Sequence, residues 1–406
     1  MPCYSLEFFT LPDTELKTHI FTADRIHDGE RFLPQGSAVV FAADGTVLDV
    51  LAESPADAER LDGVLCPGFV NAHCHLELSH MQGAIPEGTG LPGFLVAVMQ
   101  QRSAPDEVRT AARYKAADEL RRNGVVAVGD IVNSVDTADI RAVAPLHLHD
   151  FVECMGFVPA GAGARLAAGK SVLAQLADAP ALAGYHRAQS LTAHATYSVS
   201  RPLLEMVAAD SARLSIHVNE SAEEQEFFRA SRGGFLQVFQ SIGVDVGFYA
   251  GHDGTLAAQL AGLPADRDLL LVHNTHATPA DLQWAAGRAG GTWFCLCPSA
   301  NLYIEQRLPD LARFLPYPDR ICLGTDSLAS NHQLSILHEA ATLRRSFPDG
   351  LDWEVLLRWA CANGADALGM SGVVGRLRVG MKPGLVSIAG LDDAAAAPRA
   401  SVVIAA

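Results

Sequence analysis

Apolar residues run in short, nearly unbroken blocks through the middle of the chain, at Val64 to Val70, Val125 to Val132, Leu148 to Cys154, Ser190 to Tyr197, Leu214 to Val218, Leu269 to His273, Thr292 to Cys297 and Ile321 to Gly324. Blocks of this length, rich in β-branched residues and bounded by turn formers, read as strands buried on both faces. Helix-length segments separate them. The clearest covers Pro105 to Arg122, opened by Ser103, Ala104, Pro105 and Asp106, carried by Val108, Ala112 and Leu120 at helical spacing, and closed before Gly124. Strand alternating with helix implies parallel strands, and eight such repeats predict an α/β fold of the (β/α)8 TIM barrel type rather than an open sheet.

The two ends are patterned differently. Ser37 to Ala42 and Thr46 to Val50 alternate around Ala43, Asp44 and Gly45, while Val373 to Ala406 is punctuated by Gly375, Gly380, Pro383 and Gly384. Both read as short antiparallel strands, and neither end can bury a core alone. We expect residues 1–61 and 373–406 to pair into one small β-sandwich-like domain beside a metal-dependent barrel spanning 62–372.

Composition narrows the function classes. With 406 residues, 49% hydrophobic and 19% charged, the chain has ample apolar surface to offset chain entropy, which excludes a disordered protein. A net charge of -16 argues against nucleic acid or an anionic membrane as partner, since both select basic patches. No run reaches the ~18 apolar residues of a membrane span, and Met1 to Thr10 lack the basic start and apolar stretch of a secretory signal, so a cytoplasmic location is expected. The eight cysteines are dispersed through the chain and read as reduced thiols; Cys295 and Cys297 lack the second pair that a zinc ribbon needs.

The chemistry concentrates at strand ends. The block Pro67 to Val70 runs on through Asn71 and Ala72 into His73-Cys74-His75, and histidines at i and i+2 on a strand project from one face, where both imidazoles can reach one cation. His147 and His149 repeat the spacing at the start of a strand, the end where stability residues lie. His217 closes the fifth predicted strand with Glu220 three residues on, His273 closes the sixth, and Asp326 closes the eighth, in Leu323-Gly324-Thr325-Asp326. Residues at the carboxyl ends of different barrel strands meet at one mouth, so these side chains are expected to form a single metal site.

On the motifs Pro67-Gly-Phe-Val-Asn-Ala-His73-Cys-His75, Ile216-His217-Val-Asn-Glu220, Val272-His273-Asn-Thr-His276, Pro298-Ser-Ala-Asn301-Leu and Gly324-Thr-Asp326-Ser-Leu-Ala-Ser330-Asn331, the chain resembles the mononuclear-metal deaminase branch of the amidohydrolase superfamily. The resemblance runs from about Cys66 to Val386 and departs at Pro383-Gly384, where the family usually carries Ala-Asp. It implies that His73, His75, His217 and Asp326 hold one divalent ion, zinc before iron, with a water in the open position. It further implies that Asp326 takes a proton from the attacking oxygen, Glu220 protonates a ring nitrogen and His273 orients that oxygen. The rival two-metal chemistry needs a lysine on the fourth strand, and Lys17, Lys115, Lys170 and Lys382 all lie elsewhere. The fourth strand instead carries His194, which resembles a substrate-contacting histidine of this branch.

The segment His73-Cys-His75-Leu-Glu77-Leu-Ser-His80, followed by Gly88-Thr-Gly-Leu91, resembles the bacterial aminodeoxyfutalosine deaminases of menaquinone synthesis. That implies an aminated purine nucleoside, 6-amino-6-deoxyfutalosine first, with adenosine, S-adenosylhomocysteine and guanine as alternatives and a non-catalytic metal-binding or ligand-binding barrel as the rival class. Glu77 could accept from ribose hydroxyls. The aromatics Phe227, Phe228, Phe235, Phe239 and Tyr249 surround Arg229 and Arg232, and an aromatic wall with Arg232 facing a distal benzoate is the expected outer pocket. The expected partner is thus a small-molecule nucleoside, with a homo-oligomer left open.

Overall fold

A computed structural model describes residues 18–391 and 397–406; the first 17 residues of the expected terminal domain, Cys3 among them, and most of the alanine run at 394–397 lie outside the described residues. Four strands come first, β1 (Thr18–Ile26), β2 (Ala38–Ala42), β3 (Val47–Leu51) and β4 (Glu59–Cys66). Eight follow with helices between them: β5 (Phe69–Cys74), β6 (Val125–Val132), β7 (His147–Cys154), β8 (Arg187–Ala193), β9 (Arg213–Val218), β10 (Asp268–His273), β11 (Thr292–Leu296) and β12 (Ile321–Leu323). Two more, β13 (Leu385–Ala389) and β14 (Arg399–Ile404), close the chain.

The terminal strands share one six-stranded sheet in the order β14, β13, β4, β1, β2, β3. Its hairpin of β2 and β3 turns at Ala43 to Thr46 as the alternating pattern requires, with Val39 opposite Val50. The predicted strand Val64 to Val70 is two strands. Pro67 offers no amide hydrogen to a ladder, and Gly68 sits where a Cβ would fall 2.2 Å from Val126, so the chain leaves the six-stranded sheet at Cys66 and enters the next one at Phe69. Residues 62–66 therefore belong with the terminal strands. The departure at Pro383-Gly384 lies against this same corner: Pro383 accepts a hydrogen bond from the Gly68 amide, and Gly384 takes φ +68°, which favours glycine.

The eight middle strands form two parallel four-stranded sheets, β5 to β8 and β9 to β12. Single parallel bridges join the sheets at both edges, Ala195 with His217 and Cys74 with Asp326. Helix Asp106–Arg122 packs on β6, Ala162–Asp178 on β7 and β8, and Arg201–Asp210 on β8, so β6 and β7 are buried at every position. The described cysteines are all free and buried, packing as small hydrophobes. No helix among the described residues is long and apolar enough to cross a membrane.

One ionic group is fully enclosed. Arg141, on helix Ala138–Val143, is 2% exposed and forks onto Asp150 of β7, with Nε donating to Oδ2 at 2.8 Å and Nη2 to Oδ1. Nη2 also reaches Asp130 Oδ2 of β6 at 3.4 Å, and Nη1 donates to Thr137 Oγ1 at 2.8 Å. Asp130 in turn accepts the amide of Leu76 at 3.1 Å, which fixes the chain just beyond His75.

Candidate metal centre

The His-x-His pair ends β5, and the backbone of His73 itself places a further ligand-type residue. The amides of Thr325 and Asp326 both donate to the His73 carbonyl, at 3.0 and 3.1 Å, and Asn71 locks that loop with its side-chain amide, Nδ2 donating to Thr325 Oγ1 and Oδ1 accepting from the Thr325 amide. Gly324 is required for this approach: a Cβ there would stand 2.8 Å from His73 Cβ and 2.9 Å from Cys295 Sγ. Ser330 Oγ donates to Asp326 Oδ2 at 2.6 Å, leaving Oδ1 turned to the histidines, 3.2 Å from His75 Nε2 and 3.6 Å from His73 Nε2.

His217 completes the group from the end of β9. Its Nδ1 donates to the His194 carbonyl at 2.6 Å, so its Nε2 carries the free lone pair. Ligand-type atoms of His73, His75, His217 and Asp326 all lie within 4.8 Å of one another and all four residues are buried. The donor set suits a cation. His73 Nε2 and His75 Nε2 face each other at 3.2 Å, and three nitrogens with one carboxylate oxygen are a zinc-type set. Burial lowers all three imidazoles, His75 to about 4 and His217 well below its ordinary value, so they are neutral ligands at pH 7. Burial alone would raise Asp326, but hydrogen bonding to His73 and the charges of His75 and His273 hold it well below the usual carboxylate range.

Glu220 and His273 stand beside this group. Asn219 takes φ +50° at the end of β9, Ser221 caps helix Ala222–Ala230, and Glu224 of the resulting capping box accepts the Glu220 amide at 2.7 Å. Glu220 Oε1 is then 3.5 Å from His273 Nε2, while His273 Nδ1 is held by Asn301 Oδ1 at 3.2 Å. Burial, followed by the charges of Glu224 and Asp326, raises Glu220 well above its ordinary value, which favours its acid form. Backbone strain marks the same place: Asn219, His273, Asn274 and Asp326 are four of the six non-glycine residues with positive φ among those described.

A cavity of about 390 Å³ opens beside the cluster, its wall including His75, Glu77, His194, Tyr197, Phe235 and Phe239. His194 sits just past β8 rather than within it, because the strand begins at Arg187 and ends at Ala193. Its Nδ1 meets Glu153 Oε1 at 2.6 Å. Burial would raise Glu153 and lower His194; the mutual charge and hydrogen bond overturn both, leaving Glu153 at about 2 and His194 above its ordinary value. Glu77 is buried and lines the cavity. Arg232 does not; it is exposed, and the guanidinium groups that do line the cavity are Arg102 and Arg165. Phe227 and Phe228 turn into a buried aromatic cluster with Phe157, while Phe235 and Phe239 reach the wall. His147 and His149 lie away from the site, His149 bonding Leu368 O and Ser190 Oγ. Glu153 escaped the sequence reading although its signal was present: it is the only acidic residue near the carboxyl end of its strand, the position that singled out His217 and Asp326.

A model of the amidohydrolase family matches residues 64–404. The chain is 30% identical over 330 residues to the aminodeoxyfutalosine deaminase of Deinococcus radiodurans, covering 77% of this chain and 75% of that one. Among solved structures it matches the aminofutalosine deaminase of Helicobacter pylori, crystallised with methylthio-coformycin, with a TM-score of 0.76 at 24% identity over 91% of this chain and 92% of that one. It also matches an adenosine deaminase from Xanthomonas campestris with bound zinc, with a TM-score of 0.65 at 22% identity over 91% and 84% of the two chains. The chain belongs to the amidohydrolase family. It is an enzyme of that family's deaminase kind, a hydrolase of carbon–nitrogen bonds.

Proposed function

We propose that the protein deaminates an adenosine-like nucleoside, 6-amino-6-deoxyfutalosine before others, with one divalent metal ion, zinc, held by His73, His75, His217 and Asp326. The observation that carries this reading is the convergence of those four side chains, with a buried Glu220 and an anchored His273 at their edge. The names borne by the Deinococcus and Helicobacter relatives support the nucleoside. In the same reading, the two parallel sheets bridged at both edges are halves of one closed (β/α)8 barrel, and the six-stranded sheet is the small terminal domain.

A divalent ion bound there would supply Lewis acidity that makes the attacking water more acidic. The protein's own groups divide the proton traffic. As the water oxygen adds to the amino-bearing ring carbon, Glu220 gives its proton to the adjacent ring nitrogen and takes one of the water's two protons in its place, while His273, fixed by Asn301, orients the incoming oxygen. Asp326, held ionised, accepts the oxygen's proton and passes it to the amino group, which leaves as ammonia while an oxo group remains. His194 faces the base from the cavity wall, and Glu77 has lone pairs for sugar hydroxyls.

Metal analysis of the purified protein should give one divalent equivalent per chain, and chelation should abolish ammonia release until zinc is restored; two equivalents would overturn the mononuclear assignment. An ammonia-release assay over adenosine, S-adenosylhomocysteine and 6-amino-6-deoxyfutalosine tests the substrate. Arg165, exposed at the rim of the apolar wall, is the guanidinium placed to meet a distal carboxylate. Arg165→Ala should raise KM for the benzoate-bearing nucleoside roughly 10-fold and leave adenosine unchanged, the scale of one hydrogen bond to a charged group.

A further inference from the structure

The cavity wall carries a second polar arrangement that the proton traffic does not use. Glu77 and Glu153 follow or end different strands, and they are 6% and 8% exposed. Asn133, the residue after β6, stands between them. Its Nδ2 donates to Glu77 Oε1 at 3.0 Å and to Glu153 Oε2 at 2.9 Å, and its backbone amide donates to Glu77 Oε2 at 3.0 Å. Each carboxylate has another partner: Arg102 Nη2 lies 3.4 Å from Glu77 Oε1, and His194 Nδ1 lies 2.6 Å from Glu153 Oε1. A continuous chain of polar contacts therefore runs along the cavity from Arg102 through Glu77, Asn133 and Glu153 to His194.

Two carboxylates in one low-dielectric wall repel unless a donor lies between them, and here a single amide spends both of its side-chain N–H groups on that task. Glu77 Oε2 accepts only the Asn133 backbone amide among these groups, which leaves it a lone pair for a substrate hydroxyl. We propose that Asn133 is a positioning residue for the substrate: it aims Glu77 at the sugar end of the nucleoside and, through Glu153, aims His194 at the base, so that the two ends are recognised as one unit. This rests on the deaminase reading. Asn133 itself takes no part in proton transfer, so its loss acts on binding more than on turnover.

The test is steady-state kinetics on whichever of adenosine and 6-amino-6-deoxyfutalosine the wild type turns over faster, with zinc content and melting temperature measured alongside. Asn133→Ala should raise KM roughly 10- to 100-fold, the scale of lost hydrogen bonds to charged groups, with a smaller change in kcat and zinc still at one equivalent. Asn133→Asp, although the same shape, should be worse than Asn133→Ala, because it sets a third carboxylate between the other two. Combining Asn133→Asp with Glu77→Gln returns a donor to that contact and should recover part of the loss. An Asn133→Asp protein milder than Asn133→Ala, or variants that melt earlier with KM unchanged, would show a packing role and overturn the proposal. If Asn133→Asp does not fold, the division of the Asn133→Ala effect between KM and kcat decides. A zinc-loaded wild type that releases ammonia from neither nucleoside overturns the substrate reading, and this proposal with it.

Discussion

Glu220→Gln is expected to lower kcat by about 100- to 10,000-fold, the contribution of a positioned general acid. The substitution keeps the size of the side chain and its place after β9, where the capping-box turn holds the backbone amide, but it removes a carboxyl whose acid form burial favours. Because Glu220 lies outside the four ligand-type side chains, zinc content should stay at one equivalent and KM should change far less than kcat. Metal lost with the substitution would instead make Glu220 a ligand, and unchanged kcat would remove it from the chemistry.

The second large effect concerns stability. Arg141→Met is expected to lower the unfolding free energy by about 3–5 kcal/mol, since it leaves Asp130 and Asp150 buried without their cation. The loss should depend on pH in a defined sense. Burial, opposed by Arg141 and helped by Asp150, already raises Asp130 to about 7. A carboxyl raised in the folded state binds more protons folded than unfolded between its ordinary value, about 4, and its folded value, so stability falls as pH rises through that window. Removing the guanidinium widens the window upward. Denaturant titrations should therefore find the deficit smaller at pH 5 than at pH 8, and an equal deficit at both would place the cost in lost packing.

Much of this could be read along the chain, and what could not has a physical pattern. Strands such as β6 and β10 declare themselves because apolar side chains fill most positions on both faces, and His73, His75, His217 and Asp326 stood out because metal-binding types fell at strand ends. The break at Pro67-Gly68 was equally present in the residues, yet the apolar run concealed it. Glu153 carried a signal that went unused, whereas Asn133 and Arg165 were not legible, because which residue after one strand meets which residue of the next is decided by register and by how helices tilt over the strand ends. Arg232 shows the opposite failure. Its aromatic neighbours suggested a pocket wall, but Phe227 and Phe228 bury themselves inward and carry the following turn, with Gly233 at φ +89°, out to solvent.

The Asp326 amide rests on the carbonyl of His73, and Asn71 grips Thr325 across 254 residues of sequence. A nascent chain that has released β5 through β11 thus owns three histidines but no way to bring the fourth donor to them. Contacts of such sequence separation form late, because the loop entropy must be met before they can be made. A divalent ion held by all four donors in a refolding or translation experiment would therefore time the arrival of β12 beside β5, an event that reports the joining of the first and last parallel strands without any label on the protein.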